Sequence, residues 1–421
     1  MTTVEGASTT GMIRAEDIPF ARRLSGFVFL MVFDFFYGWS WNTVDLLRPE
    51  IRAALDLTLT EASLMYTAQS AGALFGAIII GQLADRLGRR NVLFCIMVGY
   101  SLTLASGAIV TDLAQLLTQR FILGLFLGGV FPVAVGIYTS LFDRRVCGRL
   151  AGFYNGTFNG SIVVMGFIVS TFEIGDWRVL LWGGAIVPLL ASPLAFLLIP
   201  NDRKTIPFGV VGVQPVLAKL PVTELFAPAL RKRTLLIALM VGLNFFAYQA
   251  FAGWQTTYLQ ETLGFSPGEA KGLLAWQFTA TIIGGFLWGW IADRFGRRVN
   301  ALGFIGGSIM IVLYLTIGST LGELRILGLL FGLMLSASVI WGPWIAEMFP
   351  AHLRSTAASI FNWGRIISLF SPPITAAVAE SFGLAAAMAM AAVSFGLAAV
   401  VWRILPETLD RTPVDDGVAR T

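Results

Sequence analysis

Charge is scarce in this chain, and so are the residues from which soluble enzyme sites are built. Asp, Glu, Lys and Arg together make up only 13% of its 421 residues, against 56% hydrophobic. A soluble protein this apolar would expose large patches and precipitate. There are two cysteines, Cys95 and Cys147, and one histidine, His352. The cysteines fall in an apolar run and a basic loop, so no structural disulfide is expected. No Cys/His cluster suggests a metal, and His352 reads as a surface turn residue. No Gly-x-x-x-x-Gly-Lys-Ser/Thr loop occurs, so nucleotide hydrolysis is not expected to drive the protein. No basic stripe with interleaved aromatics occurs either, so the net charge of +4 is not read as a nucleic-acid surface.

What the sequence has is length of apolar chain. About 20 apolar residues cross a bilayer as a helix, which satisfies its own backbone hydrogen bonds in lipid. Twelve such runs are present, at about 25–46, 62–84, 91–110, 115–142, 148–172, 178–199, 234–259, 269–292, 300–318, 325–348, 355–380 and 384–404. The first 24 residues are polar, carry Arg14, Arg22 and Arg23, and show no cleavage-site pattern before the first span. Basic residues set orientation. The loops after spans 2, 4, 6 and 8 hold most of them, including Arg86, Arg89, Arg90, Arg144, Arg145, Arg149, Arg294, Arg297 and Arg298; the opposite loops carry few, such as Arg48, Arg52, Lys271 and Arg325. Both termini are therefore expected in the cytoplasm, with the protein multi-pass in the inner cell membrane.

The chain also repeats itself. Gly81-Gln-Leu-Ala-Asp85-Arg86-Leu87-Gly88-Arg89-Arg90 returns as Gly289-Trp-Ile-Ala-Asp293-Arg294-Phe295-Gly296-Arg297-Arg298, each between two apolar runs. Ser140 to Gly148 and Glu347 to Ser355 correspond in place at a similar offset. Two six-helix bundles of one ancestry suit a carrier that rocks one half against the other. The expected organisation is a tail at 1–24, a bundle at 25–199, a linker at 200–233 with five prolines and a basic cluster, a second bundle at 234–404 and a polar tail at 405–421.

These strings resemble the loop signature of the major facilitator superfamily, over nearly the full length of the chain. Arg120-Phe-Ile-Leu-Gly124-Leu-Phe-Leu-Gly128-Gly129 is similar to the fourth-helix pattern of its proton-coupled members. Glu347-Met-Phe-Pro-Ala-His352-Leu-Arg354, Gly364-Arg365 and Leu405-Pro-Glu407-Thr408 resemble sugar porters and organic-acid/proton symporters, most of all those for aromatic and sialic acids. The acidic pair that aromatic-acid symporters carry in helix 1 falls here on Tyr37 and Ser40, and the usual Glu and Arg after helix 4 are Ser140 and Cys147. The resemblance implies an all-α membrane protein of twelve transmembrane helices, a transporter and not an enzyme, working as a monomer without cofactor or metal. It also implies import of a small organic acid, aromatic or sugar-like, together with protons. The alternative is a proton-driven exporter; Gly152 to Gly160 lacks the proline of the drug antiporters' helix 5, which favours import.

Ionisable residues inside the spans cost on the order of 3 kcal/mol at the bilayer centre and so mark function. Asp34, Gly38, Trp41 and Asp45 share one face of helix 1. By resemblance Asp34 takes the proton and Arg120 tunes it, with Asp45 the competing acid. Arg365 offers a planar fork for a substrate carboxylate. Polar and aromatic residues expected to line the path are Tyr37, Trp41, Asn42, Asn155, Asn159, Asn244, Tyr248, Gln255, Gln277, Asn362 and Trp363, since buried amides turn inward in lipid; Trp254 and Trp276 lie at similar depth. The resemblance assigns a cytoplasmic gate to Gly81, Asp85, Arg89, Arg149, Gly289, Asp293, Arg297, Glu347 and Arg354, with Asp143 standing in for the altered first-half cluster.

Overall fold

The computed structural model describes residues 12–172, 176–206, 208, 221–349, 357 and 360–408, with the side chains of residues 85, 144, 145, 148, 149, 151, 155, 221, 222, 343, 346, 361 and 362 outside that description. Asp85, Arg149, Asn155, Asn362 and Arg354 thus lie beyond it as side chains. The chain is almost wholly helical. In order come α1 (Phe20–Leu46), α2 (Leu59–Leu87), α3 (Arg89–Ser106), α4 (Leu113–Leu141), α5 (Arg144–Phe172), α6 (Arg178–Ala191), α7 (Arg231–Thr257), α8 (Pro267–Phe295), α9 (Ala301–Thr316), α10 (Leu321–Leu335), α11 (Ile360–Ser368), α12 (Ser371–Phe382) and α13 (Leu384–Ile404). Helices α11 and α12 together make the eleventh crossing, broken around Leu369. Among the described residues eight helices are individually long and apolar enough to cross a bilayer, and α6 with its bent continuation makes nine. The twelve spans form two six-helix bundles. The only strands among the described residues are Ile13–Arg14 and Thr205–Ile206, which pair in parallel and tie the N-terminal tail to the linker.

Local chemistry writes the repeat a second time. Thr58 caps α2 in a reciprocal box with Glu61, and Ser266 caps α8 the same way with Glu269. Asp112 caps α4 and Thr320 caps α10. Each pair is separated by 208 positions (58 to 266, 112 to 320), the spacing of the two charged strings (81 to 289). Gly88 and Gly296 end α2 and α8 with φ of 90° and 99°, a region that disfavours a Cβ. Beyond them the first amides of the next helix meet a carboxylate from just past the last helix of the same bundle. Asp202 accepts from the amides of Arg89 and Arg90, and Glu407 from those of Arg297 and Arg298.

Helices α2 and α4 pack backbone to backbone through two facing small-residue pairs. A Cβ on Gly72 or Gly76 would lie 2.0 Å from the carbonyl oxygen of Phe121 or Leu125, and one on Gly124 would lie 2.0 Å from that of Gln69. Neither partner is a side chain that can swing away. Gly124→Ala is therefore expected to lower the melting temperature of the purified protein markedly, by an overpacking cost of about 1–3 kcal/mol or more. A thermal shift in detergent reads this directly; an unchanged melting temperature would show that the two helices separate freely.

The two bundles meet at one end. Define the basic end as that holding the two charged strings, and the far end as the opposite one. At the far end Thr60 donates to Glu380, Tyr66 meets Ser368 at 3.4 Å and Thr67 donates to the Leu369 carbonyl. On the other side of the molecule α5 meets α8: a Cβ on Gly166 would come within 2.5 Å of the Lys271 carbonyl, and Phe167 packs edge-on against Trp276. Toward the basic end, Gly81, Gly152, Gly156, Gly160 and Gly289 have open space where a Cβ would stand. Gly81 and Gly289, assigned to the gate, thus make no close contact in this form, while the bundles touch at the far end.

Candidate functional site

Span 1 carries most of the interior polarity. Asp34 is buried, with 1% of its surface exposed, and accepts a hydrogen bond of 2.9 Å from Thr157 of α5. Tyr37, Tyr100, Tyr138 and Tyr154 surround it. Asp45 stands eleven residues later, about 16 Å further along the helix. It pairs with Arg48 at 2.8 Å and also feels the charge of Arg120. Arg120 itself donates to Thr43 at 3.0 Å and to Gln69 at 3.4 Å. The structure thus groups Arg120 with Asp45, and leaves Asp34 with hydroxyl groups and no ion pair among the described residues. The Asp34–Arg120 partnership that the resemblance implies is not formed, because the two sit at different depths.

Arg365, half-buried on α11, reaches across the bundle interface. Its guanidinium carbon lies 4.7 Å from the ring centre of Trp41 and 5.6 Å from that of Phe245 on α7, and Tyr37 is close enough to feel its charge. Trp41 in turn meets Tyr37 and Tyr66, and Tyr37 meets Phe158 of α5. Among the described residues no carboxylate pairs with Arg365. A guanidinium set between aromatic faces, with its in-plane donors uncommitted to an acid, has the chemistry to hold a planar anion.

Other sequence-predicted residues divide. Tyr37 and Trp41 are in this aromatic cluster. Tyr248 lies on α7 against Phe278, on the side that feels Asp45 and Tyr66. Asn244 is buried with its carbonyl oxygen unpartnered, and Asn159 is half-buried on α5. Asn42 turns back to its own helix and donates to the Gly38 carbonyl at 2.8 Å. Gln255 donates to Gln277 at 2.8 Å and to Tyr314 at 3.0 Å, a link joining α7, α8 and α9 inside one bundle. Trp363 stacks flat on Phe226 and, two positions from Arg365, points about 200° around the helix, to the opposite face. All four make contacts inside the protein in this form, and the Gln255 oxygen and Gln277 nitrogen keep no partner among the described residues.

Sequence reasoning missed the far-end seal. Arg48 is wholly buried; it donates to the Gly253 carbonyl of α7 and stacks over Trp254 at 4.3 Å. Thr256 donates to the Asp45 carbonyl at 2.6 Å. Lys271, 2% exposed, reaches Glu50 at 2.6 Å, and Arg52 pairs with Glu261. The signal present in the sequence was an arginine and a lysine among few charges on the lightly basic side, which topology alone does not explain. At the basic end Arg297 pairs with Asp293 at 2.5 Å and Glu347 at 3.1 Å, and Thr408 also binds Glu347. Arg89 donates to the Gly136 carbonyl at 2.7 Å. Those contacts stay within one bundle.

The sequence profile of the Major Facilitator Superfamily matches residues 28–275 and 237–419. A cis,cis-muconate transport protein of Acinetobacter baylyi is 28% identical over 336 residues, covering 76% of this chain and 79% of that protein. A 4-hydroxybenzoate transporter of Pseudomonas aeruginosa is 24% identical, covering 85% and 86%. Among solved structures, a bacterial homologue of the human lysosomal transporter Spinster in an inward-facing, occupied conformation superposes with a TM-score of 0.70, at 15% identity, over 90% of this chain and 96% of that one.

Proposed function

The chain belongs to the major facilitator superfamily, and from that premise we propose that it imports a small organic acid together with one or more protons by alternating access. It is a multi-pass membrane transporter, not an enzyme. The curated relatives move organic acids, aromatic ones among them, which supports the same class of cargo here. The observation that carries the reading is Arg365. A half-buried guanidinium between Trp41 and Phe245, at the seam of the bundles and without an acid partner among the described residues, costs free energy unless an anion joins it. The aromatic walls suit a flat or unsaturated carbon skeleton, and the fork fixes the carboxylate.

Direction follows from the charge bias of the loops, which puts the basic end in the cytoplasm. The structure is then the inward-open form, its far end shut by Arg48, Lys271 and their partners. Asp34 is the proposed proton carrier, and the Arg297–Asp293–Glu347 cluster belongs to the gate that closes when the far end opens. The test is uptake into proteoliposomes under an imposed proton gradient, against radiolabelled organic acids. Accumulation of an acid above its outside concentration, lost when the gradient is collapsed, is expected; acceleration of efflux only would make the protein an exporter.

Alternating access also predicts a lock. Ideal Cβ positions bring Gly272 within 3.4 Å of the Ser170 Cβ, close to the separation of about 3.5–4.5 Å that a disulfide spans. In a background with Cys95 and Cys147 replaced by serine, Ser170→Cys with Gly272→Cys should cross-link under oxidation and cut uptake at least tenfold, with recovery on reduction. Undiminished uptake by fully cross-linked protein would mean that α5 and α8 need not part at this end.

A further inference from the structure

The interior holds more positive charge than its own acids can answer. Three guanidiniums, Arg48, Arg120 and Arg365, lie around the middle and upper part of span 1. Arg48 and Arg120 are 0% and 1% exposed. One carboxylate, Asp45, serves both, and its hydrogen-bonded ion pair is with Arg48. Asp34 is about three turns away on the same helix and bound to Thr157. Arg120 is left with neutral partners, Thr43 and Gln69, and its Nε has no partner at all. The amide of Gln249 on α7, buried beside Gly253, has neither its oxygen nor its nitrogen satisfied. Polar atoms this deep are ordinarily paired, so an idle guanidinium nitrogen on Arg120 leaves room for an acceptor that the described residues do not supply.

Two cations are therefore unmatched, and one residue connects them. The Trp41 ring faces Arg365, while the Trp41 carbonyl accepts from Gln69 at 3.3 Å, and Gln69 accepts from Arg120. Arg365 thus meets the ring of Trp41, and Arg120 reaches its backbone through Gln69. A monocarboxylate answers one of the two cations. A dicarboxylate answers both.

We propose that the cargo is a dicarboxylic acid, with one carboxylate on Arg365 and the other on Arg120. The proposal rests on the organic-acid reading and narrows it. Arg120 is buried in this form, so the second carboxylate engages when the far end opens to receive cargo. Arg48 remains the structural partner of Asp45.

Skeleton-matched pairs test this: benzoate against terephthalate, and 2,4-hexadienoate against 2,4-hexadienedioate, measured by tryptophan-fluorescence titration of the full protein in nanodiscs. The diacid of at least one pair is expected to bind tenfold or more tighter than its monoacid. Arg120→Gln should cost the diacid at least tenfold more than the monoacid, and Arg120→Lys, which keeps the charge, should recover part of the difference. Arg365→Gln should weaken both. If Arg120→Gln fails to fold, the wild-type pairs and the lysine variant decide. Equal or tighter binding of the monoacids overturns the dicarboxylate proposal and leaves the organic-acid reading intact. Binding of no acid at all overturns both.

Discussion

Arg365→Gln is expected to abolish measurable uptake, and Arg365→Lys to weaken binding of the acid about tenfold or more. Removing one partner of a desolvated, hydrogen-bonded charge pair costs about 2–5 kcal/mol, which is roughly thirtyfold to several thousandfold in affinity. Lysine keeps the charge but replaces a planar fork with a point, and it stacks less well between Trp41 and Phe245. The competing role for this arginine is purely structural, as the polar pin that holds α11 against α1 and α7. The two roles separate in one pair of measurements on purified protein. A pin predicts a lower melting temperature and normal affinity in the fraction that remains folded. A carboxylate receptor predicts a nearly normal melting temperature and a large rise in Kd. Normal affinity in folded Arg365→Lys and Arg365→Gln would remove Arg365 from the binding site.

Much of the architecture could be read before any coordinates. Lipid admits only helices here, so counting apolar runs gave the crossings, and the doubled charged string gave the two bundles. Helix starts were readable in principle from Thr58, Asp112, Ser266 and Thr320, since a cap and its acceptor sit three residues apart in sequence. The seam was harder. Arg48 reaches a carbonyl more than 200 residues away, and Asp202 and Glu407 each cap a helix more than 100 residues earlier. No local pattern encodes such pairs. Amides were the hardest to read. Gln255, Gln277 and Asn42 are buried and polar, as a ligand contact would be, and in this form they bond one another, Tyr314 or their own helix, with the Gln255 oxygen and Gln277 nitrogen left over. Composition and depth cannot separate an amide that closes a bundle from one that opens onto a path. Arg365 was legible because a guanidinium in lipid demands an explanation wherever it points.

Asp34→Asn is expected to abolish uphill accumulation while leaving exchange of internal for external acid. The reasoning turns on what surrounds the two acids of span 1. Asp45 has Arg48 at 2.8 Å and Arg120 beyond it, and it anchors the backbone junction with Thr256; its charge is part of the far-end seal. Asp34 has the Thr157 hydroxyl, which can donate to a carboxylate or accept from a carboxylic acid, so both states of Asp34 are satisfied by the same neighbour. A proton carrier needs that indifference. When the acid cargo binds near Arg365, a proton on Asp34 keeps a second negative charge out of the same bundle, and release of both at the basic end resets the carrier. Asparagine imitates the protonated side chain permanently. The loaded carrier can then still reorient, which preserves exchange, but no proton is released and the gradient no longer acts on the cycle. One pH unit supplies about 1.4 kcal/mol per proton, or about tenfold accumulation. The wild-type protein should approach that ratio in proteoliposomes, and Asp34→Asn should stay near unity at an exchange rate within a few-fold of normal. Asp45→Asn should instead loosen the far end and lower both activities. Full accumulation by Asp34→Asn would transfer the proton to another group, and loss of exchange as well would make Asp34 a residue of folding or binding.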